Sequence, residues 1–246
     1  MIIWLLFAVA LIAVARIVRD DGKSYARFKT LTETRDRQRA MLRWTGVAFL
    51  SWLVIPLAGL ALLGRVEALW NFPQEFELGD AAREWIEFGS LYAAALVLGA
   101  VLGVLIRWHV LKRPPRVLPR AASRVPDIVP MMPRNAAEAR CVALLTLNAG
   151  VSEEVFFRLY LPLLIVLAGG GALLAFVAAG LLFGLLHRYQ GWAGVIGTTV
   201  LGVVFTLAYL LSLGLAVPIL LHLALNATNL LVRPALRGWR APEDKA

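Results

Sequence analysis

A single cysteine, Cys141, is the chain's whole supply of thiols. It has no partner for an internal disulfide, and a Cys-rich metal site is excluded with it. Acids are nearly absent from the carboxyl-terminal part: between Glu138 and Glu243 there are only Glu153 and Glu154. Histidine is as scarce, with His109, His187 and His222 the only three in the chain. Also missing is the alternation of apolar and polar residues, over segments of about 10 residues, that a membrane β-barrel needs.

What fills the sequence instead is continuous apolar chain. Of 246 residues, 60% are hydrophobic, and the mean hydropathy is +0.73. A soluble domain would be closer to half apolar. Several runs reach the roughly 17–25 residues that span a bilayer as a helix. The fold expected is therefore all-α, a polytopic transmembrane helix bundle of about seven spans. They fall at 1–18, 44–64, 90–111, 141–168, 172–188, 193–211 and 215–232. The first has neither a basic segment before it nor a small-residue cleavage pattern after it, so it reads as an anchor rather than a signal peptide. The glycine run 169–171 breaks the fourth span from the fifth.

Charge is unevenly shared among the connecting segments. Residues 16–43 carry nine basic and four acidic side chains, residues 107–140 eight and two, and the tail after Val232 four and two. Residues 64–89 reverse this, with two basic and six acidic. Lys and Arg are retained on the cytoplasmic face, and seven spans put the three basic segments on one side. The expected protein sits in the cell (inner) membrane, with its amino terminus outside and its carboxyl terminus in the cytoplasm. The net charge of +9 is then a topology signal with some attraction to anionic lipid, not a sign of nucleic-acid binding. His109, beside Arg107 and Lys112, reads as interfacial. Residues 112–134 hold six of the twelve prolines, which remove backbone donors and disfavour helix. Four regions follow: an amino-terminal three-helix membrane region (1–111), a Pro-rich basic linker (112–140), a membrane core holding the buried polar groups (141–232), and a basic tail (233–246). Gly180 and Gly184, like Gly99 and Gly103, have the spacing of close helix packing.

An ionisable side chain inside a span costs several kcal/mol and marks a functional site by default. Glu154 and Arg158 are i, i+4 with the acid first, the favourable order for a helical ion pair. Glu153 lies about 100° further round the helix and faces another surface without a local counter-charge. One acid is thus structural, and the other is suited to act as a general base. His222 and Asn226 are i, i+4 on the seventh span, as are Phe183 and His187 on the fifth. Three faces presenting a carboxylate, two imidazoles and a carboxamide can activate a water and stabilise an oxyanion. That is a hydrolase constellation.

The ordered motifs EEVFFR (153–158), FGLLH (183–187) and HLALN (222–226) resemble the CAAX-protease and bacteriocin-processing family of intramembrane endopeptidases, which includes the Rce1-type enzymes. The resemblance covers residues 141–232. It implies a multi-helix membrane endopeptidase whose site opens to the cytoplasm and whose substrate is a membrane-associated protein or peptide. By that likeness Glu153 matches the water-activating glutamate, His187 its partner, His222 and Asn226 the oxyanion pair, and Glu154 with Arg158 the supporting ion pair. Many family members have glycine directly after the arginine, where this chain has Leu159. Glu153, His187 and His222 also make a plausible zinc set of one carboxylate and two imidazoles. A divalent metal and a water held without metal both stay open. The HExxH signature of zincins is absent, as are the GxSG of rhomboid and the GxGD of presenilin-type proteases. Two other classes remain, a non-catalytic membrane scaffold of the same fold and an ion or metal transporter. The single polar cluster and the absence of repeat symmetry disfavour the transporter.

Overall fold

The computed structural model describes residues 1–76 and 128–236. The expected span at 90–111, the Gly99/Gly103 pair, His109, most of the Pro-rich linker and residues 237–246 lie outside them. Among the described residues there is no strand. We number the helices α1 (Ile2–Lys29), α2 (Thr34–Leu62), α3 (136–167), α4 (Ala172–Leu186), α5 (Trp192–Ser212) and α6 (Ala216–Leu236).

Five of these, all but α3, are long and apolar enough to cross a membrane. Their outward faces carry large apolar side chains such as Trp4, Leu62, Leu173, Ile196 and Leu220, the surface a lipid solvent requires. α3 is the centre of the bundle: every residue from 154 to 164 is buried. Its charged motif is therefore sheltered by neighbouring helices rather than presented to lipid.

Two helices extend furthest beyond the hydropathy pattern. α1 continues to Lys29, well past Val18. α2 starts at Thr34, ten residues before the expected 44. The polar opening of α2 is helical because it packs along the start of α3. Arg37 pairs with Glu138 at 3.2 Å, and Gln38 Nε2 donates to the Ala137 carbonyl at 3.0 Å. Further along, Asn148 Nδ2 donates to the Thr45 carbonyl at 3.3 Å, and Trp52 meets Phe156 edge to face at 4.5 Å. α2 and α3 thus run parallel and in register, which joins the amino-terminal helices to the carboxyl-terminal ones in one core.

α3 has a well-defined start. Asn135 Oδ1 accepts the Glu138 N–H at 2.9 Å, and Glu138 Oε2 accepts the Arg134 N–H at 3.0 Å, so two backbone donors at the helix entrance are satisfied by side chains. It ends at Gly169, whose φ of +100° favours a residue without Cβ. Between these ends the helix widens into a π-helical turn, Val155–Tyr160. Similar turns occur at Leu50–Val54 in α2 and Thr228–Val232 in α6. Each ends two residues before a proline: Pro56, Pro162 and Pro234. Proline lacks an N–H and its ring presses on the carbonyl four residues back; a wider turn relieves both. At Pro162 the wider turn falls immediately after the paired glutamates.

The helix order fixes two ends. The turns at 30–33, 132–135 and 187–191 lie at one end, where Tyr25, Phe28, Met41 and Cys141 pack together with Trp44, Met131 and Tyr189. At the other end Phe76 meets Phe176 at 5.0 Å, and Phe72 meets Tyr209 at 5.3 Å. α4 and α5 approach closely: a Cβ on Gly184 would run into the Thr199 side chain, and one on Gly202 would come within 3.2 Å of Phe183. The packing reading fits Gly184, whereas a Cβ on Gly180 would meet open space.

Candidate active site

The paired glutamates diverge as their spacing requires. Glu154 points into the core with no exposure and meets Arg158 Nε through Oε2 at 3.1 Å. The Arg158 guanidinium, also buried, lies 4.5 Å from the Phe183 ring centroid and 5.4 Å from that of Phe205. Its Nη2 donates to the Gly202 carbonyl at 3.3 Å. An arginine held between two aromatic faces and a carboxylate is charge-compensated without water.

Glu154 has a second partner that the spacing rule does not foresee. Its Oε1 accepts from His222 Nδ1 at 2.7 Å. The other nitrogen of that ring, Nε2, stands 3.9 Å from Glu153 Oε2. The His222 ring is stacked on Phe205 at 5.0 Å and 19° and meets Phe183 edge-on at 6.2 Å. His222 is thus placed between two consecutive carboxylates. It is bonded to one and a shift of about 1 Å from hydrogen-bond distance to the other.

His187 ends α4 and opens a short 3-10 turn, His187–Gln190. Its Nδ1 lies 2.8 Å from the Phe183 carbonyl. A carbonyl only accepts, so Nδ1 carries the proton in this bond and Nε2 is left as an acceptor. Phe183 therefore serves the site three ways: its carbonyl sets the His187 tautomer, one ring contact lies against Arg158, and another against His222. That explains why a phenylalanine four residues before the histidine belongs in the motif.

Glu153 and His187 line one cavity of about 130 Å³, room for several waters. Glu153 Oε2 is buried there without a hydrogen-bond partner. The length of α3 brings Glu153 to the level of His187. From Ala136 to Glu153 is about 25 Å at 1.5 Å per residue, so the start of α3 projects well past the level at which α4 ends. His222 approaches from α6 through Glu153 and Glu154. Asn226, one turn further along α6, is half-buried and makes no side-chain hydrogen bond among the described residues. Leu159, where glycine is common, is completely buried in the π-helical turn.

Two site residues were invisible to motif reasoning. Phe205 on α5 belongs to none of the three motifs, yet it covers both Arg158 and His222. Asp21 on α1 lines the same cavity as Glu153 and His187. Its signal was the helical spacing of Ile17, Asp21, Tyr25 and Phe28, one face of a helix that continues past Val18.

Residues 136–228 match the family model described as type II CAAX prenyl endopeptidase Rce1-like. No curated protein and no solved structure gives a significant match to the chain. The matched segment, under half of the chain, carries Glu153, Glu154, Arg158, His187, His222 and Asn226, and over that stretch the chain is similar to CAAX-type intramembrane proteases. Together with the five apolar helices it marks an integral membrane protein.

The zinc set of Glu153, His187 and His222 was tested on donor placement. Among the described residues no group of three or more His, Cys, Asp or Glu side chains is arranged to hold a metal ion. Both Nδ1 atoms are engaged, by Phe183 and by Glu154, which leaves each Nε2 open, as in a metal-binding histidine. The three side chains are nonetheless not gathered into a ligand set where they stand.

Proposed function

We propose that the chain is an intramembrane endopeptidase that hydrolyses a peptide bond of a membrane-associated protein or peptide, with Glu153 activating the water. The observation that carries this reading is Glu153 Oε2, buried without a hydrogen-bond partner in a cavity that His187 shares. Glu153 takes a proton from the water as the oxygen attacks the scissile carbonyl. His187 Nε2 accepts the water's other hydrogen and orients it. The tetrahedral oxyanion is met by donors on α6, His222 and Asn226. His222 donates through Nε2 only when that nitrogen is protonated. With Nδ1–H already given to Glu154, the donating ring is an imidazolium, and the Glu154 carboxylate stabilises it. As the C–N bond breaks, Glu153 returns its proton to the leaving amine. Glu154 and Arg158 are positioning residues in this scheme. The basic end of the bundle faces the cytoplasm, the site opens there, and the membrane is the cell (inner) membrane.

The test is to reconstitute wild-type protein and Glu153→Gln into vesicles with solubilised membrane proteins and to sequence the new peptide amino termini. Termini that arise only with the wild type are expected. Identical sets from both proteins would remove the endopeptidase reading in favour of a scaffold, and ion flux through the same vesicles would point to a transporter.

A further inference from the structure

The cavity beside Glu153 has walls that its proposed hydrolytic role does not require. Asp21 lines it from α1, as Glu153 does from α3. The two carboxylates lie within electrostatic range of each other as like charges. Asp21 makes no side-chain hydrogen bond or ion pair among the described residues, and Glu153 Oε2 has no hydrogen-bond partner. Among the described residues lining the cavity there is no Lys and no Arg. Among the described residues no cation faces Asp21, and Glu153 faces it as a like charge, an unfavourable arrangement that a positive ligand relieves.

The rest of the wall suits such a ligand. Trp44 and Trp52 from α2, Tyr25 from α1 and Tyr189 after α4 line it. Aromatic rings attract cations through their negative faces, and one already does so here: the Lys29 ammonium lies 5.3 Å from the Tyr25 ring centroid. Apolar side chains complete the lining, a surface for the methylene stem of a long basic side chain. A purely apolar occupant such as an isoprenoid would leave both carboxylates desolvated and unpaired, and an anionic one would be repelled.

We propose that this cavity is a cation subsite that takes a lysine or arginine side chain of the substrate, with Asp21 as its anchoring carboxylate beside Glu153. The proposal rests on the endopeptidase reading only for what carries the cation. Asp21 is then a specificity residue, and Glu153 stays available to the water.

The experiment separates binding from cleavage. Dye-labelled twelve-residue apolar peptides, each with one Lys, Arg, norleucine or Glu at a scanned position, are titrated in detergent by fluorescence anisotropy against wild type, Asp21→Asn, Asp21→Glu and Asp21→Lys. Their cleavage is followed in parallel. The Lys and Arg peptides should bind wild type about tenfold more tightly than the norleucine peptide, since a charge-assisted contact is worth that factor. The preference should vanish in Asp21→Asn, survive in Asp21→Glu and turn toward the Glu peptide in Asp21→Lys. Butylammonium should displace the Lys peptide from wild type while butanol does not, a comparison that needs no variant to fold. Equal binding of Lys and norleucine peptides by wild type, or a preference that persists in Asp21→Asn, overturns the subsite. A charge preference in binding with no peptide cleaved keeps the subsite and removes the protease. Cleavage indifferent to charge does the reverse.

Discussion

His222 lies between two consecutive glutamates, with Nδ1 2.7 Å from Glu154 Oε1 and Nε2 3.9 Å from Glu153 Oε2. Adjacent positions on a helix rarely serve one ring. Here they do because Glu154 faces the core and Glu153 the cavity, and the imidazole has one nitrogen for each. The arrangement separates a carboxylate that holds the ring from one that is left without a hydrogen bond.

The two glutamates should therefore fail differently. Glu153→Gln keeps the size of the side chain and leaves the Glu154–Arg158–His222 group intact. Its melting temperature in detergent should stay near wild type while cleavage is abolished. Glu154→Gln strands Arg158, fully buried, without its counter-charge. Breaking such a pair costs roughly 3–5 kcal/mol, so melting temperature or expression should drop, and activity with it. Adding Arg158→Met to Glu154→Gln should restore part of the stability, because no lone charge remains. An active Glu153→Gln, or an unstable Glu153→Gln beside a stable but inactive Glu154→Gln, would reverse the assignment.

Phe205 tests whether the aromatic cover matters to the chemistry as well as to the fold. Phe205→Ala should destabilise by about 3–5 kcal/mol, the usual result of truncating a buried ring. Phe205→Leu retains most of the apolar burial but loses the face stacked on His222 and turned toward Arg158, a contact worth about 1 kcal/mol. The leucine variant should fold with a small loss of melting temperature and show a clear fall in kcat with little change in KM. Wild-type kcat in Phe205→Leu would reduce the residue to packing.

Much of the site was legible because charge is so rare in this sequence. Two acids and two histidines in a long apolar stretch, three of them with a motif companion four residues away, place themselves on helix faces without any structural knowledge. The Glu154–Arg158 pair and the outward turn of Glu153 follow directly from that spacing, and the helix boundaries of α4 to α6 differ little from the hydropathy runs. The second bond of Glu154, to His222, was not legible, since it depends on how α3 and α6 approach. Phe205 was hidden because one phenylalanine in an apolar helix carries no pattern. Asp21 was hidden by a boundary: the polar residues after Val18 look like a loop, but the helix continues through them because its Tyr25 and Phe28 face packs against Trp44 and Tyr189. The polar start of α2 was misread for the same reason. Hydropathy reports what lipid accepts and says nothing about helix that extends beyond it.

At the entrance to α3, before Cys141, Glu138 gives a pH prediction. Burial alone would push its carboxyl up. The hydrogen bonds from Arg134 and the charge of Arg37 outweigh that and hold it below the usual carboxylate range. A carboxyl lowered on folding stabilises above its unfolded pKa, about 4.3 for Glu, and that stabilisation is lost as pH falls through the folded value. The melting temperature of wild type should decline as pH is taken from 5 to about 3. Glu138→Gln should start lower at pH 7, because Arg37 loses its buried partner, and should lose less over the same acid range. Parallel curves for the two proteins would show that Glu138 contributes nothing to the acid transition.

Which end of the bundle faces the cytoplasm can be tested from the positions of its charges. Lys23, Arg140, Arg188 and Arg233 belong to the end that holds the α1–α2 turn and the start of α3. Arg65, Glu67 and Glu75 belong to the opposite end, where Arg65 pairs with both glutamates. The basic end should stay inside, because Lys and Arg resist translocation whereas acids contribute little to orientation. Cys141 is buried and is the only thiol in the chain, so a Cys141→Ser background gives a clean baseline for single cysteines at the exposed positions Lys23, Glu67 and Arg140. In intact cells a membrane-impermeant maleimide should label the cysteine at 67 and spare those at 23 and 140. In inverted vesicles the pattern should exchange. Labelling of 67 from the same side as 23 would break the two-ended arrangement, since α2 could not then cross the membrane between them. Labelling of 23 and 140 together from outside would keep the arrangement but invert it, and would turn the cavity and its proposed site toward the exterior.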